Sequence, residues 1–104
     1  MNIEFATHEI IFDKTPGYIE KICDQSFSSD IRSAQLSLQG FTLNYEHKEH
    51  SKTVGDEHDD HIACVDLELL SIIGNKLKYK ASAKTPEHAP VRERRVKILF
   101  TAIT

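Results

Sequence analysis

The sequence predicts an all-β protein: a single antiparallel β-sandwich of immunoglobulin-like or jelly-roll type, with five to seven strands and little or no helix. Three observations predict it. Apolar residues recur at every second position over most of the chain, the period of a strand and not of a helix. Turn chemistry separates the runs, notably Thr15-Pro16-Gly17 and Gly74-Asn75. The length of 104 residues supports one core, and therefore one domain over 1–104, because either half alone would bury too little surface.

The first strand is expected over 3–12, from Ile3 and Phe5 to Ile10, Ile11 and Phe12, with a kink near His8 where the alternation falters. After the Pro16-Gly17 turn, residues 18–23 fit either a short strand or one helical turn, and 26–30 read as loop. Residues 31–46 place Ala34, Leu36 and Leu38 at even positions but Phe41, Leu43 and Tyr45 at odd ones. That switch would turn the apolar face to solvent unless one residue is inserted, so a β-bulge is expected at Gly40.

Residues 47–60 are polar and aperiodic, a long loop. Ala63, Val65, Leu67 and Leu69 then alternate against Cys64, Asp66 and Glu68. Beyond Gly74-Asn75, Leu77, Tyr79, Ala81 and Ala83 alternate against lysines. Face matching predicts an odd loop of three or five residues; the three-residue form, Gly74-Asn75-Lys76, pairs 69 with 81 and 67 with 83 and sets Asp66 opposite Lys84. Residues 85–93, with two prolines, form a second polar loop. The last strand has Val96, Ile98, Phe100 and Ala102 on one face and Leu99 and Ile103 on the other. Apolar character on both faces marks a strand central in a covered sheet or buried in an interface, so Leu99, Phe100 and Ile103 are the candidate interface residues.

Charge is unevenly spread. Residues 1–75 hold five Lys/Arg against fourteen Asp/Glu, a balance of −9, and residues 76–104 hold eight against two, a balance of +6. Local cancellation between neighbouring strands is the ordinary use of such polarity; self-association or an anionic partner is the other. Arg92, Arg94, Arg95 and Lys97 form a basic cluster at the start of the last strand. Nucleic acid is not expected as a partner: the chain is acidic overall at −3, and Tyr79 is the one aromatic placed to stack on a base.

The segment 46–61 carries four of the six histidines, His47, His50, His58 and His61, among six carboxylates. Two H-x-x-H pairs seven residues apart could supply four ligands to a divalent metal, zinc or nickel before calcium, because no D-x-D-x-D-G loop is present. Residues i and i+3 point to opposite faces of a strand, so each pair could converge only in a turn. The alternative is a solvated loop.

The chain contains no G-x-S-x-G, H-E-x-x-H, P-loop or dinucleotide fingerprint. Cys64, near His61, reads as a small buried hydrophobe and not as a nucleophile. No run of about 18 apolar residues or export signal is present, so no membrane contact, a cytoplasmic location and reduced Cys23 and Cys64 are expected.

The stretch Leu38-Gln39-Gly40-Phe41-Thr42-Leu43-Asn44-Tyr45, the strand before Gly74-Asn75, and Val96-Lys97-Ile98-Leu99-Phe100-Thr101-Ala102 together resemble H-type lectin modules. The resemblance covers the last two thirds of the chain and rests on generic strand residues. It implies a small sandwich, often trimeric, with a glycan partner. The family's Trp-bearing motifs have no counterpart in a chain without Trp, so no binding residue is carried over. The functional expectation is a non-enzymatic binding or assembly module, a homo-oligomer acting through a surface, with a protein or glycan partner. The second expectation is a metal-binding protein using the histidine loop.

Overall fold

A computed structural model describes residues 1–46 and 63–104. They form six strands: β1 Ile3–Ile11, β2 Tyr18–Ser26, β3 Ser33–Tyr45, β4 Cys64–Ile73, β5 Lys76–Lys84 and β6 Val91–Ile103. These make two antiparallel three-stranded sheets, β1-β6-β3 and β2-β5-β4, with no helix among the described residues. Residues 18–23, ambiguous in sequence, are strand. β1 runs without a break in register, so the kink expected at His8 is absent.

The central strands, β5 and β6, supply the core. Leu77, Tyr79, Ala81 and Ala83 of β5, and Val96, Ile98, Phe100 and Ala102 of β6, are buried as alternation predicted. Ile10, Phe12 and Phe27 complete the cluster. The Tyr79 and Phe100 rings meet edge to face with centroids 4.9 Å apart, linking the two sheets.

Two bulges reconcile the apolar patterns with the pleat. In β3, Leu38 pairs with Ile98 and Gly40 with Lys97, so the extra residue is Gln39, one position before the expected Gly40. A Cβ on Gly40 would meet nothing within 4 Å, so the glycine is not sterically required. The hairpin corrects a second expectation. Its loop is the two-residue Gly74-Asn75, with Ile73 opposite Lys76. Gly74 has φ +61 and, among the described residues, no non-glycine residue has positive φ, the pattern of a type II′ turn. Leu70 is then skipped, which restores the facing: Leu69 meets Tyr79, Leu67 meets Ala81 and Val65 meets Ala83. Asp66 consequently sits opposite Ser82, not Lys84. Matching apolar faces was the right criterion, but a bulge satisfies it instead of an odd loop.

Charge cancels between neighbouring strands. Lys80 of β5 lies 3.1 Å from Glu68 of β4 and 3.7 Å from Glu20 of β2. Arg95 of β6 lies 3.9 Å from Glu9 of β1. The basic strands β5 and β6 occupy the centre of each sheet; at the edges β1, β2 and β4 are acidic on balance and β3 is uncharged. Such exposed pairs each contribute little.

Candidate functional site

Each candidate residue has a definite place among the described strands, except the four histidines. His47, His50, His58 and His61 lie outside the described residues. Among the described residues, no group of three or more His, Cys, Asp or Glu is arranged to hold a metal ion.

The basic cluster does not form one surface. Arg94 is 1% exposed and points into the core. Its Nη1 donates to the carbonyls of Gly17 at 3.0 Å and Ala83 at 3.1 Å; its Nη2 donates to the Thr15 carbonyl and to Thr85 Oγ1 at 3.3 Å. Burial lowers its pKa and the charge of Asp13 opposes that shift. Arg94 therefore ties the β1–β2 corner to the end of β5. Arg95 is occupied by Glu93 at 2.7 Å and by Glu9. Only Arg92 and Lys97 of the four are exposed, and Tyr79 is buried where it cannot stack on a base. The chemistry of a nucleic-acid surface is not assembled on this strand.

The cysteines are free, and Cys64 is exposed where burial was expected. Cys23 sits opposite Tyr79 and Cys64 opposite Lys84, on the two strands flanking β5. Strand spacings separate them by roughly 19 Å, far beyond the limit of about 7 Å for a disulfide.

Of the interface candidates, Phe100 is fully buried and belongs to the core. Leu99 and Ile103 lie on the opposite, outer face of the β1-β6-β3 sheet and are half-buried. There they meet residues that the reading of the C-terminal strand did not include. Ile3 pairs with Ile103, Phe5 with Thr101 and Thr7 with Leu99. Asn2 and Thr104 exchange both backbone hydrogen bonds, at 3.2 and 3.0 Å, so even residues of β1 make the ladder to β6. The odd pairs are then the closely spaced kind, and Ile3 packs on Ile103. Ile3 and Phe5 remain 62% and 68% exposed, as does Ile11 at 64%. Ile3, Phe5, Leu99 and Ile103, with Thr101 between the two β6 residues and Thr7 opposite Leu99, form a largely apolar surface that faces solvent. The sequence held a signal for it: Ile3, Phe5 and Ile11 are odd while Ile10 and Phe12 are even, with no glycine between to reverse the facing.

One polar contact at the same end of β1 responds to pH. Glu4, on the inner face, accepts from the Ser28 hydroxyl at 2.8 Å and the Ser28 amide at 3.3 Å. The Ser28 hydroxyl bond holds the carboxyl below its usual range, against partial burial, with the Ser28 amide and Thr104 assisting. A carboxyl whose folded pKa is depressed stabilises above its unfolded pKa and loses that contribution as pH falls through the folded value. Ser28→Ala is therefore expected to flatten the acid limb of the stability curve below about pH 4, measured by urea unfolding across pH 2–6, and to leave the slope above pH 6 unchanged.

No protein-family model matches the chain, and no curated protein or solved structure matches it significantly.

Proposed function

We propose that the chain is a non-enzymatic assembly module that self-associates through the outer face of its β1-β6-β3 sheet. One observation carries this reading: Ile3 and Phe5 lie exposed beside half-buried Leu99 and Ile103 on one sheet face. Contiguous apolar surface of this kind is costly in water and marks an interaction site in soluble proteins. A protein or glycan partner on the same face is the alternative occupant.

The reading includes one jelly-roll sandwich. It is supported by the shared core and by strand order, since β6 lies between β1 and β3, and β5 between β2 and β4. A ribbon pairing the two chain ends and wrapping alternately between two sheets gives that order.

Phe5→Glu tests the proposal. Phe5 is mostly exposed, so its replacement is expected to change stability by less than about 0.5 kcal/mol while shifting the sedimentation coefficient from oligomer to monomer. An unchanged oligomer would contradict it. The second reading, metal binding, rests on the spacing of His47, His50, His58 and His61. It predicts a rise in Tm with zinc or nickel, erased in His47→Ala/His61→Ala; no rise would end it.

A further inference from the structure

Of the four strands at sheet edges, β1 is built differently from the others. Edge strands expose unpaired backbone groups, and proteins blunt them with bulges, prolines, lysines or charge. β3 has two register shifts, between Leu38/Gly40 and Asn44/Tyr45, and β4 has one, between Leu69/Ser71. β2 is regular but carries Lys21 on its inner face and Glu20 and Asp24 on its outer face. If β2 paired antiparallel with its own copy over its full length, Glu20 would stand opposite Asp24, a repulsive pair. β1, nine residues from Ile3 to Ile11, has no register shift, no proline and no lysine, and its two carboxylates are engaged within the chain, inward Glu4 by Ser28 at 2.8 Å and outward Glu9 by Arg95 at 3.9 Å.

Its free groups are also known by position. The even residues of β1 bond to β6, as the Asn2–Thr104 exchange and the 2.9 Å bond from the Phe12 amide to the Arg94 carbonyl require. The amides and carbonyls of Ile3, Phe5, Thr7, Glu9 and Ile11 therefore point to the open edge, and their side chains lie on the outer apolar face. The Ile11 carbonyl accepts from Lys21 Nζ at 3.2 Å and keeps a second lone pair.

We propose that this edge takes a second copy of the same chain. The β1 strand of that copy adds antiparallel across a two-fold axis at Thr7, making one continuous six-stranded sheet. That register is the one that pairs all nine residues. It sets Thr7 opposite Thr7 of the second copy, Ile3 opposite Ile11 and Phe5 opposite Glu9, with every odd residue on the same outer face. It places apolar side chains together at both ends and brings no like charges into opposition on that face, the self-complementarity an isologous interface demands. Each Glu9 keeps its own Arg95 at 3.9 Å. The proposal deepens the reading above and rests on it, naming the partner and the mode of contact.

The test uses the full chain with Cys64→Ser, which removes the exposed thiol. At the two-fold, hydrogen-bonded residues have Cα atoms about 5.5 Å apart, within disulfide range. Thr7→Cys, oxidised with diamide, is expected to give a disulfide dimer at least tenfold faster than Phe5→Cys, whose two copies would lie roughly 13 Å apart along the strands. Thr7→Pro leaves the β6 ladder its hydrogen bonds and is expected to weaken self-association, while Phe5→Glu, which would stand opposite Glu9 of the second copy, abolishes it. Faster cross-linking at Phe5 than at Thr7 would overturn the register. An oligomer indifferent to Thr7→Pro and without Thr7 cross-linking would overturn the edge proposal and leave face-mediated assembly standing. A chain that is monomeric before any substitution and cross-links at neither site would overturn both.

Discussion

Replacing Arg94 with methionine is expected to lower stability by about 3 kcal/mol. The side chain is buried and donates to three backbone carbonyls and a threonine hydroxyl. Exchanging a whole buried ion pair for apolar residues can be neutral. Arg94 differs, because its main acceptors are peptide carbonyls that persist after the substitution. The Gly17 carbonyl would keep the Thr85 amide as a donor at 3.1 Å, but Ala83 and Thr15 would each lose the guanidinium, at a cost of about 1–3 kcal/mol per group. Water entry and relief of the buried charge recover part of that sum, which sets the net near the lower end. Arg94→Lys retains the charge but not the fork that spans the two corners, so an intermediate loss is expected. A lowered urea midpoint at constant m would identify the effect as stability. A change under about 0.5 kcal/mol is what a surface arginine would give, and it would contradict the placement.

Phe100→Ala is expected to cost about 3–5 kcal/mol, a large share of the 5–15 kcal/mol that holds a typical domain. Phe100 is fully buried at the junction of the two sheets, against Tyr79. Removing the ring leaves a cavity walled by β5 and β6, whose backbones are pinned by pairing on both sides and cannot close over it. The same chemical change at Phe5 removes a ring that water already reaches. The contrast separates the two faces of one sheet. Loss of folding at 100 with loss of assembly at 5 is the expected pattern, read by thermal melts alongside sedimentation.

Those two phenylalanines also mark where the sequence was legible. Alternation on β5 and β6 identified the apolar core residues from Leu77 to Ala83 and from Val96 to Ala102, because a strand flanked on both sides has one register, while buried Ser82, Val91 and Arg94 fell outside that pattern. The parity switch after Leu38 located a bulge to within one residue. The hairpin was misjudged because face matching was given priority over turn chemistry. Gly-Asn is a two-residue type II′ loop, and nothing in Leu69-Leu70-Ser71 announces the second bulge that reconciles it with the pleat.

The candidate site was legible only in part. Leu99 and Ile103 were identified from apolar residues on both faces of β6, but Phe100 belongs with the opposite parity. Ile3 and Phe5 were missed because a strand of mixed parity was read as kinked when it is straight with two apolar faces. Arg94 was grouped with its charged neighbours by adjacency, although its even number places it with Val96 and Ile98. Adjacent residues in a strand face opposite ways, so a run of consecutive charges such as Arg94-Arg95 is split between two faces.

Native mass spectrometry of the untagged chain over a range of concentrations, with a chelated portion alongside, tests self-association most directly. The outer face of the first sheet predicts an oligomer that grows with concentration, carries no metal mass and survives chelation. A monomer at every concentration, or an oligomer that dissolves when metal is removed, would contradict it.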